Sequence, residues 1–112
     1  MKSLGETIRT KRESMGLLLR EVAAKINVDS SLLSRVETGA KRPTREQVVH
    51  LASVLNEDTN ALLIQYLGER VVYELKDEED LAIEAVMVAE KRLRYVSANN
   101  AKKKRHGGAI RN

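Results

Sequence analysis

From Ser3 to Leu67 apolar residues return every three or four positions, broken by short polar or glycine-bearing links, a pattern that predicts a succession of short helices. Ser3 and Glu6 form an S-x-x-E capping pair at the start of the first, whose inward face would carry Leu4, Ile8, Arg12 and Met15, and Gly16 ends it. A second helix is expected from Leu19 to Ile26 and a third from Ser30 to Thr38, with Gly39 as its left-handed terminator. Thr44 and Gln47 repeat the capping pair before Val48, Leu51, Ala52 and Leu55, the stripe of a fourth helix. Asp58 or Thr59 caps a fifth that carries Leu62, Leu63, Tyr66 and Leu67. Beyond Gly68 the run Arg70 to Leu75 suits a strand or a further helical turn, and helix is favoured. A sixth helix is expected from Asp77 to Val96, acidic in its first turn and basic at its end, as the helix dipole favours. Residues 97–112 lack apolar periodicity and read as a disordered basic tail.

The segment Leu19 to Glu37 fits two helices joined by a tight hinge, a helix-turn-helix. Ala23 stands where the helices must approach closely, and Asn27 stands where the hinge needs a left-handed backbone, which Asn tolerates better than most side chains. Asp29 can cap the next helix. Val22, Ile26, Val28, Leu33 and Val36 form the apolar joint, which leaves Ser30, Ser31, Ser34 and Arg35 facing outward. Small hydroxyls and an arginine on one exposed helix face suit hydrogen bonding to base edges in a DNA major groove.

Composition narrows the field. The 112 residues favour one compact domain with a short extension and no separate domain for sensing a small-molecule effector. There is no Phe, Trp or Cys, so the core is aliphatic, and disulfides, thiolate ligands and cysteine nucleophiles are excluded. No apolar run reaches membrane-spanning length, and a cytoplasmic protein is expected. His50 and His106 stand alone, and the acids at Asp77 to Asp80 read as a helix start rather than a catalytic pair, so neither a catalytic residue, a metal site nor a cofactor is assigned. The net charge of +4 is unevenly spread: +2 over residues 1–60, −6 over 69–90 and +8 over 91–112. Contact with phosphates is therefore expected from residues 1–60 and from the tail run Lys102 to Arg105, which is either a nonspecific phosphate arm or a solvated end.

On these residues the chain resembles the lambda-repressor-like, or Xre-type, helix-turn-helix family. The resemblance spans roughly Leu4 to Leu67 and rests on Ala23, Asn27, Leu33 and Val36, on Gly16-Leu17, on S-R-V-E-T-G at Ser34 to Gly39 and on K-R-P-T at Lys41 to Thr44. It implies an all-α fold: a five-helix lambda-repressor-like domain over 1–68, an additional C-terminal helical extension over 69–96 and the disordered basic tail over 97–112. By position it implies base contacts from Ser30, Ser31 and Arg35, and phosphate contacts from Arg20, Thr38, Lys41, Arg42 and Arg45. It further implies a structural ion pair of Arg12 with Glu37 and a dimer surface around Leu62, Ile64, Tyr66 and Leu67. Leu18 and Leu19 depart from the family pattern, which commonly has a capping Thr and a backbone-contacting Gln there. Helix two thereby loses a cap worth about 1 kcal/mol.

The expected function is a sequence-specific transcription regulator that binds double-stranded DNA at a palindromic operator as a homodimer. The small body resembles the controller proteins of restriction-modification systems. A protein-interaction module of another class, such as an antitoxin or a bridging factor that engages its partner through the C-terminal helix, is the alternative.

Overall fold

The computed structural model describes residues 2–111, with side chains through Lys104. Its order is α1 (Leu4–Ser14), α2 (Leu19–Lys25), α3 (Ser30–Thr38), α4 (Arg45–Val54), α5 (Thr59–Glu74) and α6 (Ala82–Arg111). The described residues contain no strand. The chain divides into two compact units, residues 1–73 and 74–112.

Short-range chemistry accounts for most helix ends in the first unit. Ser3 caps α1 by accepting the Glu6 N–H, and Thr44 and Gln47 exchange bonds of 3.1 and 3.0 Å in a complete capping box on α4. The Asp58 carboxylate accepts the Ala61 N–H at 2.9 Å and so caps α5. Asp29 occupies the N-cap position of α3, but its side chain makes no capping bond. Leu18, which has no acceptor to offer, leaves the start of α2 to Glu21, whose carboxylate reaches back to the Leu18 N–H at 2.9 Å. Leu18 stays half exposed and Leu19 packs against the core. Left-handed residues sit at Asn27 and Gly39, as the sequence indicates, and also at Gly16 and Asn56.

The core draws on all five helices of the first unit. Leu4 and Ile8 of α1 meet Val22, Ala23 and Ile26, Leu33 and Val36, the α4 stripe Val48, Leu51, Ala52 and Leu55, and Leu62, Leu63 and Tyr66 of α5. With no Phe or Trp it depends on close helix approach, and Gly5 provides one such point. A Cβ built on Gly5 would lie 2.5 Å from the Val36 carbonyl oxygen and still nearer to that of Glu37. Met15, expected on the inward face of α1, is instead exposed at the C-cap position, because Gly16 turns the chain away one residue later.

In the C-terminal part the structure sets where the helices begin and end. Residues 70–74 are helical, the alternative the sequence favours, and Gly68 lies within α5, since one glycine in a helix costs only about 1 kcal/mol. The expected boundary at residue 68 thus falls inside a helix. The acidic run Asp77–Asp80 precedes α6 instead of forming its first turn, where Glu84 is the acidic residue. The Glu78 carbonyl accepts the N–H groups of Leu81 and Ala82 and closes the turn into the helix. Residues 97–111, read from the sequence as a tail, are described as part of α6, which continues to Arg111. From Ala82 to His106 there is no Gly or Pro, and Ala, Lys and Arg are good helix formers, so the helix propagates although its apolar periodicity has ended. The side chains of Arg105 and His106 lie outside the described residues.

Candidate nucleic-acid interface

The hinge that aims α3 follows from its residues. Asn27 adopts φ 59°, which lets the Val28 N–H return to the Ala23 carbonyl at 3.0 Å and the chain leave directly into α3. Ala23, almost fully buried, permits that approach. On α3 itself Leu33, Val36 and Glu37 face the core, while Ser30, Ser31 and Arg35 are exposed. Ser31 and Arg35 lie four residues apart, one turn along the same face.

Beneath α3, Arg12 and Glu37 form a buried, bidentate ion pair. The Arg12 Nε donates to Glu37 Oε2 at 2.7 Å and a terminal nitrogen donates to Oε1 at 2.9 Å, while its other terminal nitrogen donates to the Leu17 carbonyl at 2.9 Å. Arg12 is 9% exposed and Glu37 6%. The hydrogen bond to Glu37 raises the Arg12 pKa above its ordinary value, and the guanidinium stays charged. One side chain thus ties the end of α1 and the turn after it to the last turn of α3, so it fixes the orientation of the helix without touching a ligand.

Arg20, Thr38, Lys41, Arg42 and Arg45 are all exposed. Arg20 is the second residue of α2 and Arg45 the first of α4, and the remaining three end α3 or follow it. The loop among them is ordered by its own bonds: the Lys41 N–H returns to the Arg35 carbonyl at 3.1 Å, and the Thr38 hydroxyl donates to that same carbonyl at 3.2 Å. Lys41 is thereby fixed to the backbone of the residue expected to read bases.

The expected dimer residues separate into two classes. Leu62 and Tyr66 are buried in the core of their own chain, whereas Ile64 is 70% and Leu67 43% exposed. Val71, also exposed, extends this pair along α5 at helical spacing. Sequence reasoning missed Gly5, which reads as a poor helix former until α3 is placed over it. It also missed Tyr73, whose ring lies under Arg42, and the contact of the Glu69 carboxylate with the Leu4 N–H at 2.7 Å, which fastens the start of α1 to α5. None of these pairings has a local signal.

Among the described residues no group of His and carboxylates is arranged to hold a metal, and no helix is long and apolar enough to cross a membrane. His50 is exposed on α4.

The profile of the Helix-turn-helix domain family matches residues 3–62, more than half of the chain, and the chain belongs to that family. It is of the lambda-repressor-like type, a DNA-binding transcription regulator and not an enzyme. Among solved structures, the clp gene regulator ClgR from Corynebacterium glutamicum is 25% identical with a TM-score of 0.52, covering 74% of this chain and 88% of that one. A complex of the SinR and SinI proteins shares the fold at 22% identity and a TM-score of 0.51, over 90% of this chain and 98% of that one. The N-terminal DNA-binding domain of SinR from Bacillus subtilis is 30% identical over 54% of this chain and 88% of its own, with a TM-score of 0.49. No curated protein matches the sequence significantly.

Proposed function

We propose that the chain is a sequence-specific regulator that binds a palindromic operator as a homodimer, with α3 in the major groove. The observation that carries this reading is the division of α3: Leu33, Val36 and Glu37 lock one face, and the other presents Ser30, Ser31 and Arg35 to solvent within a set of surface cations. Arg35 reads a guanine edge, the two serines supply shorter contacts to bases, and Arg20, Thr38, Lys41, Arg42 and Arg45 hold the phosphates. Selection of bound sites from random duplexes tests the assignment. On the selected site Arg35→Ala should lose about 1–3 kcal/mol and relax the preference at one base pair of each half-site. Equal weakening on every sequence would move Arg35 into the phosphate class.

Two α3 helices reading a palindrome must stand about one helical turn, roughly 34 Å, apart, which requires a self-complementary surface. Ile64, Leu67 and Val71 supply one on α5, because they are exposed in the single chain and share a face. Replacing Ile64 and Leu67 with Glu should leave the fold intact and shift the sedimenting species to monomer. A parent protein that stays monomeric at tens of micromolar and engages one half-site at a time would remove the dimeric reading. Leu81, Ile83, Met87 and Leu93 in and before α6 are exposed as well, and they support the second reading, a partner protein held by this segment. A pull-down that returns only DNA and the chain itself counts against it. The narrower assignment, a restriction-modification controller, rests on resemblance of the small body and is tested by whether the selected sites lie beside the protein's own promoter.

A further inference from the structure

The guanidinium carbon of Arg42 lies 3.7 Å from the centroid of the Tyr73 ring. Arg42 is in the loop between α3 and α4, and Tyr73 is in the last turn of α5, so the stack joins the proposed phosphate-binding loop to a helix with no expected DNA contact. The backbone on either side of Arg42 is already held. Lys41 is bonded to Arg35, the ring of Pro43 fixes its own φ, and the Thr44–Gln47 box fixes the start of α4. The long Arg42 side chain is not fixed by these backbone bonds, and no carboxylate among the described residues lies within ion-pair distance of it. A planar guanidinium laid on a ring keeps its N–H donors in the plane of the group, available at its edges, while the ring restricts its rotamers.

We propose that Tyr73 is a positioning residue for DNA binding, holding Arg42 in an extended, donor-presenting geometry before the phosphate arrives. This rests on the DNA-binding reading above. Ordering a flexible side chain on binding opposes affinity, and an arginine held in place beforehand avoids that loss. The face of the ring performs this task, so Phe at position 73 preserves the function and Ala removes it.

The test titrates the full-length parent, Tyr73→Ala, Tyr73→Phe, Arg42→Ala and the Arg42→Ala/Tyr73→Ala double variant with a duplex carrying the selected site. Tyr73 is 46% exposed, so the fold should survive its truncation, and thermal melts check this. Tyr73→Ala should weaken binding roughly two- to five-fold per subunit with site preference kept, the range expected of an exposed cation–π contact. Tyr73→Phe should match the parent, and the double variant should bind no more weakly than Arg42→Ala. In the free protein the Arg42 side-chain protons should show an upfield ring-current shift that Tyr73→Phe retains and Tyr73→Ala abolishes. Tyr73→Ala binding as tightly as the parent would overturn the proposal. Tighter binding would also overturn it, since the ring would then be withholding Arg42 from DNA. A parent protein that selects no duplex defeats the DNA-binding reading itself, whereas a parent that binds beside an unaffected Tyr73→Ala defeats only the positioning role.

Discussion

Arg12→Ala is expected to lose roughly 3–5 kcal/mol of folding stability, because it leaves the Glu37 carboxylate buried with its guanidinium partner gone. The carboxylate accepts two bonds from Arg12, and the same guanidinium holds the Leu17 carbonyl, so three elements lose a common anchor. Loss of that size is a large fraction of the stability of a small domain, and DNA binding should fail with the fold. A paired replacement separates the charge from the architecture. Arg12→Met combined with Glu37→Leu removes both ions and fills similar volume, and such exchanges are often neutral or stabilising. The double variant should therefore recover most of the loss in a denaturant titration. A single variant that unfolds with the parent's midpoint and slope would show the pair to be dispensable.

Gly5→Ala provides the second large effect, and its sign carries the argument. In an open helix interior, alanine is favoured over glycine by about 1 kcal/mol. At Gly5 the added methyl meets the carbonyl oxygens of Val36 and Glu37, which belong to the α3 backbone and cannot swing aside as a flexible side chain would. Overpacking of this kind costs about 1–3 kcal/mol, so a net destabilisation is expected despite the better helix propensity. Gly68→Ala is the matched control, since it lies within α5 and a methyl added there meets nothing within 4 Å. It should stabilise the chain by roughly 0.5–1 kcal/mol, measured by chemical denaturation at concentrations where the chain is monomeric. Two glycine replacements in helices thus have opposite expected signs. Stabilisation at both would show that α1 and α3 can separate at little expense.

That contrast marks how far local sequence reaches in this protein. The helix starts at Ser3 and Thr44, the left-handed hinge at Asn27 and the stop at Gly39 were legible because each is decided within a few residues by a side chain, a backbone angle or a cap. The inward stripes of α3 and α4 were legible for a related reason, since helical periodicity alone determines which positions share a face. The exposed set Ser30, Ser31 and Arg35 follows from those stripes by exclusion. The Arg12–Glu37 pair was reached through family resemblance, and the structure supplies its bidentate geometry and its third bond to Leu17.

The C-terminal part was less legible, because periodicity reports packing and says nothing of helix formation where little packs. Residues 97–111 have no apolar stripe, yet they lie in α6, carried by helix-forming residues and the absence of breakers as far as His106. Gly68 lies inside α5, whereas Gly16 and Gly39 end their helices because the chain turns left-handed at each. By itself the sequence determined the order of the first five helices, the hinge and the residues on the outer face of α3. Only the tertiary structure decided that Gly5 admits α3, that Leu62 and Tyr66 belong to the core while Ile64 and Leu67 remain outside it, and that Tyr73 lies under Arg42. Each of these joins residues from separate helices, and such pairings depend on how the helices cross, which no local pattern of residues specifies.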